Sequence, residues 1–534
     1  MTDSVRVNHP VQAPAAAPVQ APAAAPVQAP AAAPVQAPAA VQVQAPVAAP
    51  APARPVRLLG WLAATGIGGA ILIMIGASLV RQDWMYPPVP MPATGPPWEL
   101  PVKVPGSAVS AALWLAALLA AGGLVAGLVA ARRGARGPIR LILITAAIAV
   151  AVLAVLPPAG STDPLDYAAY GRLVLLGHNP YVASPFYLRL TEPAFGRSVP
   201  VHWDQQVSLY GPAATIEQFL AAKLGGTSMA RVVLWLKLWN ALAFGAVAVV
   251  MDRVLKSKPS ARLRAHLLWT INPLLLWDLI APGHLDVIAA GAGMVGLLAV
   301  GRLPAGQQPR IGRAVAAGAL IGLAADIKID YLLFGIGLAW ALRRSVPALL
   351  AAGAGAIAVL APTYAWLGKP AFMALFARRN KTTQDSFYRL LELTNWHYLA
   401  ITAALLFAGL GVLLLWRMPP GDALRPAIRP TLALSLAWLL VWPYQLPWYD
   451  AMIICILVFF PATLLDWLVL ARLTGATIVN MPGDPSGVPG VTLKRFDAFL
   501  VHGLGPAVLL AVAVVVVVIA VSDRWRVQPA DPLR

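Results

Sequence analysis

The sequence predicts an all-α integral membrane protein, a polytopic helical bundle of about 13 spans behind a disordered Pro/Ala/Gln tail. Three observations predict it. Of 534 residues, 59% are hydrophobic and only 12% charged, with a mean hydropathy of +0.71. A soluble chain of this size needs far more charge to cover its surface. Apolar runs recur from residue 58 to residue 521, many near the length a helix needs to cross hydrocarbon. These runs lack the alternation of a barrel strand. A bilayer offers backbone groups no water, so helices are the remaining way to span it.

Residues 1–53 are low complexity: the octad Val-Gln-Ala-Pro-Ala-Ala-Ala-Pro repeats from Val11 and degenerates after Pro38. Proline every few residues excludes helix, so extended or disordered chain is expected, a solvated tail or spacer without catalytic groups. No short apolar core with a cleavage pattern follows Met1, so the stretch does not read as a signal peptide. A multispanning domain over 54–522 and a short tail over 523–534 complete the division.

Spans are expected near 58–80, 106–131, 140–157, 228–250, 265–282, 284–301, 314–326, 329–342, 345–367, 397–416, 430–443, 449–472 and 499–521. The pieces shorter than a full span read as broken or tilted helices. Arginine and lysine then set orientation. Arg132, Arg133, Arg136 and Arg140 share one loop, and Arg253, Lys256, Lys258, Arg262 and Arg264 share another. Arg302, Arg310, Arg313, Arg343, Arg344, Arg417, Arg425 and Arg429 follow. This span order puts all of them on one face, which the positive-inside rule makes cytoplasmic, with the N-terminus. The outer face carries two long stretches, 158–227 and 368–396. The formal net charge of +18 is thus read as topology and attraction to anionic membrane lipids, not as nucleic-acid binding. Cys455 stands alone in an apolar run, so no disulfide framework is possible.

Chemistry concentrates in the first outer stretch. Ser161-Thr162-Asp163-Pro164-Leu165-Asp166-Tyr167 follows the apolar run 141–156, where a helix surfaces. A carboxylate just outside a bilayer can serve as general base while lipid carries an insoluble substrate to it. Asp163 and Asp166 share a face if the segment is helical. The plainer reading makes Asp163 an N-cap ahead of Pro164. His284 and Asp286 fall at the outer end of a hairpin, able to bond sugar hydroxyls or orient a phosphate, or simply to face water. Asp326, Lys328 and Asp330 interrupt an apolar stretch, which is costly unless they pair or line a cavity. Lys328 can contact a lipid-linked phosphate or be neutralised by Asp326 or Asp330. Trp442, Tyr444, Trp448 and Tyr449 read as an interfacial belt or a sugar-stacking surface. Lys369, Arg378, Arg379, Lys381 and Arg389 lie in the second outer stretch with Phe376, Phe387, Tyr388 and Trp396. They fit an amphipathic segment, an anionic head-group site or a solvated loop. No His/Asp/Glu cluster has metal spacing: no cofactor is expected, and a divalent metal is possible but not indicated.

Read together, several of these motifs carry a resemblance. Asp163 followed by Tyr167-Ala-Ala-Tyr170-Gly171-Arg172-Leu and by Gly177-His178-Asn179-Pro180-Tyr181 resembles the actinobacterial polyprenol-phosphate-mannose-dependent α-1,6-mannosyltransferases, membrane enzymes of the GT-C fold. Ser208-Leu-Tyr210-Gly211-Pro212, Asn272-Pro273-Leu274, Gly283-His284-Leu285-Asp286, Asp326-Ile-Lys328 and Gln445-Leu-Pro447-Trp448-Tyr449 resemble further family motifs in the family's order. The likeness covers most of residues 60–470. The family's first tyrosine is Leu165 here, Asp166 takes a serine position, and one residue is inserted after Gln445. The resemblance implies a GT-C-like fold. It also implies inverting transfer of mannose from a polyprenyl-phosphate donor to a glycan or lipoglycan acceptor on the outer face of the plasma membrane. Asp163, or Asp166, would be the base. Tyr167, Arg172, Tyr210, His284, Asp286, Lys328, Arg378, Arg379, Gln445, Trp448 and Tyr449 would surround the substrates. The rival readings are a transferase for another polyprenyl-phosphate sugar, and a transporter or flippase using Asp326, Lys328 and Asp330 as a relay.

Overall fold

The computed structural model describes residues 54–81, 84–85, 87–301, 310–374, 382–384, 386–391, 395–422, 425–481 and 491–525. The Pro/Ala/Gln tail, Arg302, Phe376, Arg378, Arg379, Lys381 and the chain beyond residue 525 lie outside them. The described residues are helical; no strand occurs among them, and one isolated bridge joins Val80 to Leu100.

Helices α1 (Arg54–Leu79) and α2 (Gly106–Arg132) press together through glycines. A Cβ on Gly66 would stand 2.7 Å from the Leu119 carbonyl oxygen, and one on Gly123 would stand 2.8 Å from the Ile67 nitrogen. Apolar side chains gain little by leaving lipid for one another, so such close backbone approach supplies the packing energy. After α3 (Ile139–Val155), the first polar stretch folds into α4 (Asp163–Leu175), α5 (Phe186–Thr191), α6 (Pro193–Gly196) and α7 (Pro212–Gly225). Helix α8 (Met229–Val254) follows, capped by the Ser228 hydroxyl, which accepts from the Arg231 amide at 3.4 Å.

The single helix expected over 265–282 is broken. Helix α9 (Pro259–Ala265) runs into a π-helical turn, His266–Thr270, and stops at Asn272. The chain restarts as α10 (Pro273–Leu275), followed by a second π-helical turn, Leu276–Ile280. Pro273 has no N–H and pushes Asn272 out of the helical region (ψ 109°). The Asn272 side chain accepts from the Leu274 amide at 3.1 Å and so caps the restart.

Next come α11 (Asp286–Ala299), α12 (Ile311–Ile327) and α13 (Leu332–Leu342), the last two joined through Lys328 and a 3₁₀ turn, Ile329–Tyr331. Helix α14 (Val346–Ala374) is kinked at Gly368 (φ +72°). It lies against α12 so closely that a Cβ on Gly318 would stand 1.8 Å from the Ala352 carbonyl oxygen. The set closes with α15 (Trp396–Arg417), α16 (Ile428–Val441), α17 (Ala451–Leu457), α18 (Leu465–Val479), α19 (Val491–Phe499) and α20 (Gly505–Ser522).

The helix expected over 449–472 is also in two pieces, α17 and α18, with Pro461 between them. Arg264 makes the break tolerable by donating to the carbonyls of Leu457, Val458 and Phe460 at 3.1, 3.3 and 3.0 Å. Charged donors satisfy the terminal carbonyls that a helix leaves open.

By length and composition, 6 helices among the described residues can cross a membrane: Pro55–Leu79, Gly106–Arg132, Met229–Val254, Val346–Ala374, His397–Arg417 and Lys494–Ser522. Shorter apolar helices, Ile139–Val155, Asp286–Ala299, Ile329–Leu342, Ile428–Val441 and Pro447–Leu457, complete an integral membrane helical architecture. The apolar runs read from sequence therefore resolve into fewer full-length helices and several short or interrupted ones.

Candidate active site

The C-terminal end of α3 is where the site begins. Leu156 and Pro157 leave the helix with open carbonyls, and Lys237, buried two turns into α8, donates to them at 2.6 and 3.1 Å. These bonds satisfy carbonyls that the end of α3 leaves open. The turn continues through Gly160, whose φ of +84° and tight fit against the Trp277 ring (2.9 Å from a built Cβ to Nε1) admit only glycine. Lys237 also supports a second turn: Gly283 (φ +93°) rests on its stem, with a built Cβ 2.7 Å from Cγ. One buried lysine thus positions both Asp163 and His284.

Asp163 is the first residue of α4, with Pro164 in its first turn. The N-cap role expected for Asp163 falls instead to Thr162, whose side chain makes no cap bond. The Asp163 amide donates to the Ser161 hydroxyl at 3.2 Å, an ST-type turn that takes the place of a side-chain cap. The two carboxylates differ in access: Asp163 is half-buried, whereas Asp166 is 6% exposed. Helix α4 is pinned to α7 at Gly171, where a Cβ would stand 2.0 Å from the Gln218 carbonyl oxygen.

One turn on from Asp163, the Tyr167 hydroxyl lies 3.5 Å from Asp163 Oδ2 and 3.1 Å from His284 Nδ1. Its single proton can serve one of the two. Burial first, then Tyr210 and Asp163, push the Tyr167 pKa well above its ordinary value, so the proton stays on the ring oxygen. His284 sits in the turn before α11, stacked on Trp448 with ring centroids 3.8 Å apart. Burial and the nearby Lys328 charge hold it well below the usual histidine range, so it is neutral. Its Nε2 has no hydrogen-bond partner among the described residues. Tyr210 closes the group edge-on to Tyr167 at 4.9 Å. Its backbone carbonyl accepts from the Tyr181 hydroxyl at 2.7 Å, so the Asn179-Pro180-Tyr181 turn holds the Tyr210 turn.

Lys328, at the α12–α13 junction, is buried and donates to Asp286 Oδ1 at 2.6 Å. This ion pair reaches across 42 residues of sequence, past the neighbouring Asp326 and Asp330. Its ammonium also stands 3.4 Å from the centre of the Tyr449 ring, a cation–π contact. The Asp286 carbonyl accepts from the Tyr331 hydroxyl at 3.2 Å. Lys328 therefore ties α11, α13 and the 3₁₀ turn Pro447–Asp450 together.

Gln445 belongs to a neighbouring polar group. Arg472 of α18 donates to Gln445 Oε1 at 2.9 Å and forms an ion pair with Asp450, gripping the segment on both sides of Trp448 and Tyr449. Deeper, Asp278 Oδ2 accepts from the Thr477 hydroxyl at 2.6 Å.

The structure thus brings together Asp163, Tyr167, Tyr210, His284, Asp286, Lys328, Trp448 and Tyr449, with Gln445 behind them. Arg172 does not join this group: its guanidinium is held by both oxygens of Glu192 at 2.8 and 2.7 Å, and that bond raises its pKa further. Arg378 and Arg379 lie outside the described residues. Among the described residues, no group of three or more His, Cys, Asp or Glu is arranged to hold a metal ion. Lys237, Asp450 and Arg472 are absent from the residues expected on sequence. Lys237 had a signal there, a lone lysine inside Leu234-Trp235-Leu236-Lys237-Leu238-Trp239.

The arrangement offers an accessible carboxylate, a protonated phenol, a neutral imidazole and an aromatic wall at one end of a membrane bundle. Comparison with known proteins bears on what it serves. No solved structure matches the chain. A protein of Mycolicibacterium smegmatis described as a probable alpha-(1->6)-mannopyranosyltransferase is 28% identical over 145 residues. That match spans 27% of this chain and 26% of the relative, about a quarter of the relative's length. The family described as alpha-(1->6)-mannopyranosyltransferase, N-terminal domain, matches residues 63–344, more than half of the chain and the part holding Asp163, His284 and Lys328. The chain belongs to the alpha-(1->6)-mannopyranosyltransferase family.

Proposed function

We propose that this protein transfers a mannosyl residue from a polyprenyl-phosphate donor to a hydroxyl of a glycan or lipoglycan acceptor, with inversion at C1. The reading includes a GT-C arrangement of about 13 spans in the plasma membrane, with the N-terminus cytoplasmic and Asp163 outside. Family membership supports the sugar and the reaction class. The structural observation that carries the reading is the contrast at the head of α4. Asp163 is half-buried beside Tyr167 and His284, while Asp166 is enclosed.

In the proposed step the acceptor hydroxyl gives its proton to Asp163 as its oxygen bonds to C1. The C1–O bond to phosphate breaks, and polyprenyl phosphate leaves with the electron pair. Phosphate is a good leaving group, so no strong general acid is required. Tyr167 orients the Asp163 carboxylate, and His284 Nε2 hydrogen-bonds a sugar hydroxyl beside the Trp448 wall. Lys328, held on Asp286, acts mainly by fixing the α11 and α12 ends. Arg378 and Arg379 are the proposed partners of the departing phosphate charge.

The test is incubation of the purified full-length protein with a panel of radiolabelled polyprenyl-phosphate sugars and a mannan acceptor, followed by linkage analysis. Label should pass from the mannose donor into an α-1,6 linkage. Transfer only from an arabinose or glucose donor would replace the sugar, and no transfer from any donor would remove the reading. Orientation is tested separately with an impermeant thiol reagent on intact cells. Val182→Cys, at a position 67% exposed, should label, and Ser257→Cys should not; Cys455 is buried and gives no background.

A further inference from the structure

At the far end of α3 from Asp163, a cavity of about 670 Å³ is lined by Arg136, Arg140, Lys256 and Arg262, with Pro138, Leu141 and Pro259 among its apolar walls. The 17 residues of α3, rising about 1.5 Å each, place this cavity roughly 25 Å along that helix from the Asp163 turn. Among the described residues, no aspartate or glutamate lines it. Arg262 is held by Asp252 at 2.6 and 2.8 Å. Among the described residues, Arg136, Arg140 and Lys256 make no ion pair. Three cations, from the α2–α3 loop, the first turn of α3 and the α8–α9 loop, therefore border one concave space, and an anion entering it would lower their mutual repulsion.

A second observation says what kind of anion. Leu141 forms part of the cavity wall and also begins a stripe of exposed aliphatic side chains on α3: Leu141 at 60%, Ile144 at 58% and Ile148 at 59%. The spacing puts them on one face, running from the cavity toward the middle of the bundle. A soluble anion has no use for such a stripe, whereas a lipid does.

We propose that this cavity binds the phosphate-bearing head group of an anionic phospholipid, with an acyl chain along Leu141, Ile144 and Ile148. Cationic hollows between helices at the membrane boundary are suited to such head groups. The inference stands apart from the transfer reaction and rests on the membrane architecture alone.

The test is native mass spectrometry of the full-length protein in detergent, titrated with phosphatidylglycerol, diphosphatidylglycerol, phosphatidylcholine or inorganic phosphate. The wild type should retain the two anionic lipids at least tenfold better than phosphatidylcholine. R136Q/R140Q/K256Q should lose that preference. R343Q/R344Q removes cations from a different loop and should keep it. If the triple variant does not purify, Lys256→Gln alone should weaken retention about threefold. Three results would overturn the site: no preference in the wild type, equal loss in both multiple variants, or displacement of the lipid by millimolar inorganic phosphate. Equal loss would mean diffuse loop charge, and displacement a soluble-anion site.

Discussion

At the Asp163 end of the bundle, Lys328 faces Asp286 and Arg472 faces Asp450. At the arginine-rich end, Arg132 and Arg264 share Asp466, and Lys258 and Arg425 share Asp422. The first end is paired one to one, so each buried pair is neutral as a unit and can be held where water is scarce. The second leaves a net positive charge in each group, beside a cavity whose cations have no acid in its lining. The difference separates two jobs. The one-to-one pairs Lys328–Asp286 and Arg472–Asp450 fix the helix ends that carry His284, Trp448 and Tyr449. The excess at the other end fits the proposed cytoplasmic orientation and the proposed lipid head-group site.

The largest expected effect removes the one group to which the Asp163 end owes its proposed chemistry. Asp163→Asn should lower transfer by about 10²–10⁴-fold, the usual range for a positioned general base, with donor binding retained in a lipid-binding assay. Normal turnover would take the base away. Breaking the pairs comes next. Lys328→Met strands Asp286, and Asp466→Ala strands two arginines; each should cost about 3–5 kcal/mol, read as lower thermal stability in detergent. The double variant Asp286→Asn/Lys328→Met should be milder than Lys328→Met alone, because it strands no charge. An equal or worse double variant would mean the pair is not coupled. Lys237→Met should cost about 1–3 kcal/mol, the range for leaving buried polar groups without a hydrogen bond, and should raise KM and lower kcat together through the misplaced Asp163 and His284 turns. At the small end, Thr162→Ala should change stability by less than about 0.5 kcal/mol, since its side chain caps nothing. A larger loss would restore the cap.

Much of this was legible in the chain, and the misses share a cause. Asp163 and Lys328 stood out because charge is costly beside hydrocarbon. Lys237 gave the same signal within an aromatic-rich run. Partner choice was not legible: Asp326 and Asp330 flank Lys328 in sequence, yet the ammonium crosses to Asp286, because helix ends meet in space irrespective of chain order. Arg172, adjacent to the site motif, turns to Glu192 for the same reason. The broken helices are a different case. Asn272-Pro273 and Phe459-Phe460-Pro461 are ordinary helix-ending signals. They are easily passed over where hydropathy alone sets the span, because both lie inside continuously apolar sequence.

The Lys237 contact also constrains biogenesis. The carbonyls of Leu156 and Pro157 precede it by about 80 residues, so ribosomal synthesis delivers the acceptors before the donor. When α8 leaves the translocon, its amine has a destination already made, provided that α3 has stayed beside the exit. Folding order is thereby written into one side chain, and a circularly permuted gene placing α8 ahead of α3 would have to insert that lysine with nothing to receive it.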